Sequence, residues 1–213
     1  MQPENRVRDE ICRIGESLYR RGYTVGSAGN ISARLDDGFL ITPTDACLGF
    51  LDPAGLAKLD RDGRQVAGER ASKTILLHRA VYGARPDIGG IVHTHSTNLV
   101  ALSMLPDVNH NDVLPPITPY FVMKVGHVPM IPYRRPGDPV VADLVLAHAA
   151  SVRAVLLERL GPLVWHDSVS AACFALEELE ETAKLWLMLR DVRPPALSQA
   201  QIDDIKRTFN VEY

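Results

Sequence analysis

Apolar residues recur at helical spacing from the start of the chain. Val7, Ile11, Ile14 and Leu18 fall on one face of a helix over 4–21, and Gly22 is suited to stop it. A small-residue loop, Gly26-Ser27-Ala28-Gly29-Asn30, follows. The runs Ile31 to Leu35 and Phe39 to Thr42 flank Asp36-Asp37-Gly38 and predict a hairpin; a second hairpin turns at Asp62-Gly63. Between them, Asp52-Pro53 starts a short helix. Ser72 caps a helix running to Arg85, where Pro86 blocks continuation. Ile91 and Val92 then predict a strand, and Ser96 or Thr97 caps the next helix. The region 113–139 is rich in proline and reads as strands and loops. Asp138-Pro139 opens a helix to about Ala150. Val152 to Leu157 and Leu163 to Trp165 read as strands separated by Gly161-Pro162. Ser168 caps a long helix over 169–190, Pro194-Pro195 breaks it, and 198–209 is a last short helix. Strands arrive both as hairpins and after helices. That pattern predicts an α/β chain with a mixed sheet covered by helices.

Length and charge narrow the reading. A chain of 213 residues without repeat or linker is expected to form one domain over 1–213. A net charge of −3 offers no basic footprint, so nucleic acid is not an expected partner. No apolar run approaches the ~20 residues that span a bilayer, and the N-terminus lacks an apolar signal core, so no membrane partner is expected. Cys12, Cys47 and Cys173 are far apart, odd in number and without metal-type spacing. They suit a reducing, cytoplasmic setting.

The candidate chemistry begins at His93-Thr94-His95. Side chains two apart on a strand share a face, so both imidazoles can aim at one point. That is the start of a site for a divalent metal such as zinc. Two ligands do not hold zinc by themselves, and two packed or surface histidines would read the same way.

Further motifs, in order, carry a resemblance. Gly29-Asn30-Ile31-Ser32, Ile41-Thr42-Pro43-Thr44, Ala71-Ser72-Lys73, Arg85-Pro86-Asp87 and Val92-His93-Thr94-His95-Ser96 resemble the class II aldolase/adducin family. The resemblance covers about residues 8–190. It implies a three-layer α/β/α fold whose central sheet is mixed and mainly antiparallel. It also implies zinc, a phosphorylated sugar-type substrate, and a homotetramer with sites at subunit interfaces. The chemistry common to the family is cleavage beside a ketone, with the metal as Lewis acid stabilising the enediolate left behind. Leu114-Pro115-Pro116-Ile117-Thr118-Pro119-Tyr120, Val122-Met123-Lys124-Val125-Gly126 and Pro132-Tyr133-Arg134-Arg135-Pro136-Gly137-Asp138 are most similar to one branch. That branch decarboxylates 3-oxo-tetronate 4-phosphate to dihydroxyacetone phosphate and carbon dioxide. A sugar-phosphate aldolase of the fuculose-1-phosphate type and a non-catalytic, adducin-like oligomeric module are the alternatives.

Carried over residue by residue, the resemblance implies that His93 and His95 bind the metal. Asn30, Thr44, Ser72 and Lys73 fall on positions that hold the substrate anions. Asp45 stands where many members have glycine, and a carboxylate there repels a dianion unless turned away. Two positions depart from the family. Thr74 replaces a glutamate that acts as acid/base, and threonine takes up no proton at neutral pH. Loss of carbon dioxide from a β-keto acid needs no base to begin, but the enediolate needs a proton, from water, Tyr120 or Tyr133. Leu160 replaces the third metal-binding histidine; Glu158, two residues back on the same strand face, is the candidate substitute, with His127 and His166 behind it. His78 reads as a core-edge histidine. Glu177, Glu178, Glu180 and Glu181 read as a solvated helix face.

Overall fold

The computed structural model describes residues 3–192 and 194–213. The elements are α1 (Glu4–Arg20), β1 (Asn30–Leu35), β2 (Gly38–Ile41), β3 (Ala57–Asp60), β4 (Gln65–Ala67), α2 (Ile75–Ala84), β5 (Gly90–His93) and α3 (Thr97–Leu102). They continue with α4 (Pro119–Lys124), β6 (Met130–Ile131), α5 (Val140–Ala149), β7 (Ala154–Leu157), β8 (Gly161–His166), α6 (Val169–Leu189) and α7 (Gln199–Phe209). Short 3₁₀ turns occupy Leu48–Phe50 and Pro53–Gly55.

The eight strands form one sheet in the order β4-β3-β2-β1-β5-β8-β7-β6. Every pairing is antiparallel except β6 with β7. One face packs against α1, α3, α4 and α6 through Ile31, Val92, Leu156 and Val164. The other packs against α2 and α5 through Ile91, Val155, Leu163 and Trp165. The expected three layers and mainly antiparallel mixed sheet are therefore present. The alternation has a simple cause: Ile31 and Val92 face one way, Ser32 and Ile91 the other, because adjacent strand residues point to opposite faces.

Three local expectations are corrected. The proline-rich region 113–139 holds a helix, α4. Thr118 caps it by accepting from the Phe121 amide at 3.1 Å, and Pro119 occupies its first turn. Gly161-Pro162 does not separate two strands but begins β8; the turn is 158–160, with Arg159 at φ 62°. Ser72 does not cap α2, which starts at Ile75 after a turn closed by Ile75 N donating to Ser72 O at 3.1 Å.

The register brings one end of the sheet to the fore. Asn30 begins β1, while Ile41, His93 and Leu157 end β2, β5 and β7, and Gly161 begins β8. The loops at that end carry almost every candidate residue.

Candidate active site

His93 lies directly opposite Asn30 in the β1–β5 pairing, so both side chains project from the face that α2 covers. Its ring is buried, with Nδ1 2.7 Å from the Pro162 carbonyl. A carbonyl only accepts, so Nδ1 carries the proton and Nε2 keeps its lone pair. Burial, followed by the nearby His95 ring, pushes His93 down to about 4. Burial lowers His95 as well. Both rings are thus neutral at neutral pH, the form that binds metals. Their centroids are 5.1 Å apart.

The backbone around the pair is held from three sides. Gly29, at φ +85°, passes so close that a Cβ there would lie 2.7 Å from the His93 carbonyl oxygen, which excludes any other residue. A Cβ on Gly161, at φ +122°, would likewise lie 2.2 Å from the Thr94 carbonyl oxygen. Thr24 Oγ1 donates to the Ala28 carbonyl at 2.7 Å and shapes the loop before Asn30. Ser96 Oγ donates to the Tyr23 carbonyl at 3.2 Å, tying that loop to the segment after the pair.

The second cluster arrives by a bridge between Pro43 and Ala71. Ser72 N donates to Thr42 O at 3.2 Å and Thr44 N to Arg70 O at 2.9 Å. Continuing the β1–β2 register past Ser32↔Ile41 sets this bridge beside Asn30. Ser72 is buried and Lys73 exposed. Ser72 Oγ and Thr74 Oγ1 are 2.9 Å apart, so the hydroxyl in the glutamate's place is spent on a local bond. Asp45 is exposed, at φ 58°.

Glu158 is not brought to the histidines. The strand alternation that would have aimed it there ends at Leu157. In the turn beyond, Glu158 Oε2 accepts from the Tyr133 amide at 2.8 Å, and Oε1 lies 3.5 Å from Arg159 Nε. Among the described residues no cluster of three His, Cys, Asp or Glu side chains is placed to hold a metal. His127 bonds Asp112 at 2.5 Å, and His166 sits at the opposite end of the sheet, paired with Asp167 at 2.9 Å. Tyr133 is half-exposed at the same sheet end as the pair. Tyr120 is exposed on α4, which packs in the other helical layer against α6 and α7.

The pair therefore fits a divalent metal as two of its ligands. The Nδ1–H to carbonyl bond fixes the tautomer and aim of His93 in the way metal-binding imidazoles are commonly held.

Two polar residues lie deeper than their sequence pattern predicts. Glu180 does not lie on a solvated face. Its carboxylate is buried and accepts from Asn98 N at 2.9 Å, Asn98 Nδ2 at 2.8 Å and Leu99 N at 3.0 Å. Ser96 makes no side-chain cap, so Glu180 supplies the cap of the helix that begins two residues after His95. Burial raises Glu180 from its ordinary value, against the lowering effect of those bonds. The signal was available: Glu180 lies four residues from both Leu176 and Lys184, at the border between the apolar and polar faces. His78 is the second, fully buried in the core rather than at its edge.

The chain matches the family model "Class II Aldolase and Adducin N-terminal domain" over residues 9–187, and it belongs to that family. It is 63% identical to the 3-oxo-tetronate 4-phosphate decarboxylase of Cupriavidus necator, covering 96% of this chain and 94% of that one. It is 44% identical to the protein of the same name from Escherichia coli K12, over 95% and 96% of the two chains. Among solved structures, YgbL of Escherichia coli superposes with a TM-score of 0.91 at 43% identity, over 95% of this chain and 99% of that one. An L-fuculose 1-phosphate aldolase superposes at 0.84 and 25% identity, with 97% of each chain covered.

Proposed function

We propose that this protein is a metal-assisted carbon–carbon lyase that decarboxylates 3-oxo-tetronate 4-phosphate to dihydroxyacetone phosphate and carbon dioxide. The observation that carries the reading is the convergence of Asn30, the Thr42–Thr44 turn, Ser72 and the His93–His95 pair at one end of the sheet. The 63% identical relative named for that reaction supports it. The aldolase alternative fits less well, because Thr74 offers no carboxylate to move a proton.

His93 and His95 hold the metal, and neutral imidazoles are common ligands of zinc. When bound, the metal supplies Lewis-acid stabilisation of the negative charge that develops beside the ketone. The chain's own residues do the rest. Asn30, Thr44 and Ser72 hold the phosphate, and Lys73, exposed at the rim, pairs with the substrate's anionic groups. Release of carbon dioxide needs no base. The Tyr133 hydroxyl, on a segment that Glu158 anchors, protonates the enediolate carbon. Tyr120 is the second candidate for that proton. We assign Glu158 to this anchoring and not to the metal. We further propose a cytoplasmic homotetramer with its sites at subunit interfaces; three free cysteines suit a reducing compartment.

The test is elemental analysis of untagged protein purified without chelator, together with carbon dioxide release from 3-oxo-tetronate 4-phosphate. Near one zinc per chain and turnover are expected. Glu158→Ala, which removes the acceptor for the Tyr133 amide, is expected to keep the metal and lose turnover; loss of the metal would return Glu158 to the ligand set. A protein that stays metal-free and inactive in excess zinc would overturn the lyase reading.

A further inference from the structure

Beneath the site, three polar side chains run in a line through the core. Tyr82 Oη is 2.8 Å from Ser32 Oγ, and Ser32 Oγ is 2.7 Å from His78 Nδ1. Tyr82, Ser32 and His78 are at most 2% exposed. Burial pushes the Tyr82 phenol up, so it keeps its proton. Burial, with His93 nearby, pushes His78 down to about 3, so its ring is neutral.

Proton counting then sets the direction of the line. One direction leaves no hydroxyl proton unmet: Tyr82, whose one hydrogen-bond partner among the described residues is Ser32, donates to it. Ser32 has a single proton and gives it to His78 Nδ1. A neutral imidazole accepting at Nδ1 carries its hydrogen on Nε2. His78 Nε2–H is therefore a donor, and it is buried without a partner.

Two other buried side-chain atoms among the described residues lack partners, and one is an acceptor, Asn30 Oδ1. The other, Thr182 Oγ1, belongs to α6 on the far side of the sheet. Asn30 and Ser32 are two apart on β1 and share a face, and His93 stands opposite Asn30. An unpaired donor on α2, held over Ser32, thus faces the same side of the sheet as an unpaired acceptor on Asn30, one strand step beyond Ser32 and opposite His93. Buried groups of this kind cost stability unless something uses them.

We infer that Tyr82, Ser32 and His78 are positioning residues for Asn30. In the substrate-bound site His78 Nε2–H donates to Asn30 Oδ1 and holds the amide with Nδ2 turned toward the substrate phosphate. Without that hold, the carboxamide is free to present its oxygen, which repels a dianion. The inference rests on the proposed role of Asn30.

The test joins a spectroscopic and a kinetic readout on the full chain. ¹⁵N NMR of the imidazoles is expected to show His78 protonated on Nε2 and unprotonated on Nδ1. His78→Phe removes the donor and is expected to raise the KM for 3-oxo-tetronate 4-phosphate and the Kd for inorganic phosphate about tenfold, the scale of one lost hydrogen bond to a charge-holding group. Its kcat is expected to stay within about twofold. His78→Gln, whose amide nitrogen stands in for Nε2, is expected to restore most of the loss. Ser32→Ala, a smaller change to the core, is expected to raise KM in the same direction. A proton on Nδ1 in the wild type, or equal KM values for His78→Phe and His78→Gln, would overturn the relay. An unchanged KM in Asn30→Ala would instead overturn the phosphate assignment beneath it.

Discussion

Against α1, α3, α4 and α6 the sheet presents Ile31, Ala33, Val92, Leu156 and Val164, which join one continuous apolar cluster. Against α2 and α5 the apolar surface is split. Ile91, Val155, Leu163 and Trp165 form one cluster, and Ile41, Ala57 and Leu59 a smaller second one. Ser32 lies between them, paired with Ile41 on one side and Ile91 on the other. His78, Asn30 and His93 extend this polar seam to the sheet end. The first face is built for burial, which is non-directional and tolerant of sequence. The second gives up apolar contact for hydrogen bonds, which are directional and costly when unmet. Stability and chemistry therefore reside largely on opposite sides of one sheet.

The sharpest way to break this division is on the seam. His93→Ala or His95→Ala is expected to lower kcat/KM by more than about a hundredfold, beyond what loss of a supporting group alone costs. Metal content should fall with it while the far-UV spectrum stays native; normal turnover in either variant would end the metal reading. On the other face, Leu176→Ala is expected to cost about 2–5 kcal/mol in denaturant unfolding with kcat/KM of the folded protein unchanged. A catalytic loss there would dissolve the contrast. Glu180→Ala crosses from one face to the other. It is expected to cost about 1–3 kcal/mol by leaving two backbone amides without their acceptor, and to weaken metal binding through the loosened start of α3. Unaltered metal affinity would confine Glu180 to the first face.

A further expected effect is a pH dependence. His93 and His78 are depressed in the folded state, to about 4 and about 3, from an ordinary value of 6.5. Below 6.5 the unfolded chain takes up protons that the folded one refuses. Stability is thus fully present above that value and is lost as pH falls toward 4 and then 3. The midpoint of thermal unfolding should decline between pH 6.5 and 4. The decline should be shallower in His78→Phe; an equal slope would mean that His78 is not buried neutral.

Much of this division was legible before any coordinates. The α1 stripe of Val7, Ile11, Ile14 and Leu18, both hairpins, the histidine strand, and the Ser168 and Ser198 helix starts lie where period and capping place them. Each departure has its own cause. Thr118-Pro119 is a helix start, but the prolines around it masked the signal in 113–139. Glu158 was placed by strand alternation carried beyond Leu157, where the chain had already turned through Arg159. Glu180 was assigned by residue type, although its helical position set it against the start of α3.

Amino-acid order alone determined the elements, their apolar faces, the His93–His95 pair and the motifs that resemble one family, because period, caps and motif spacing are local properties of the chain. Only the tertiary structure decided which distant groups meet. It set Asn30 opposite His93, bridged Pro43 to Ala71, turned Glu158 to Tyr133, carried Glu180 to the helix after His95, and lined Tyr82 and Ser32 up on His78. Such meetings depend on strand register and on the packing of helices against a sheet. Neither is encoded at any single position, so the chemistry of the site follows from the fold as a whole.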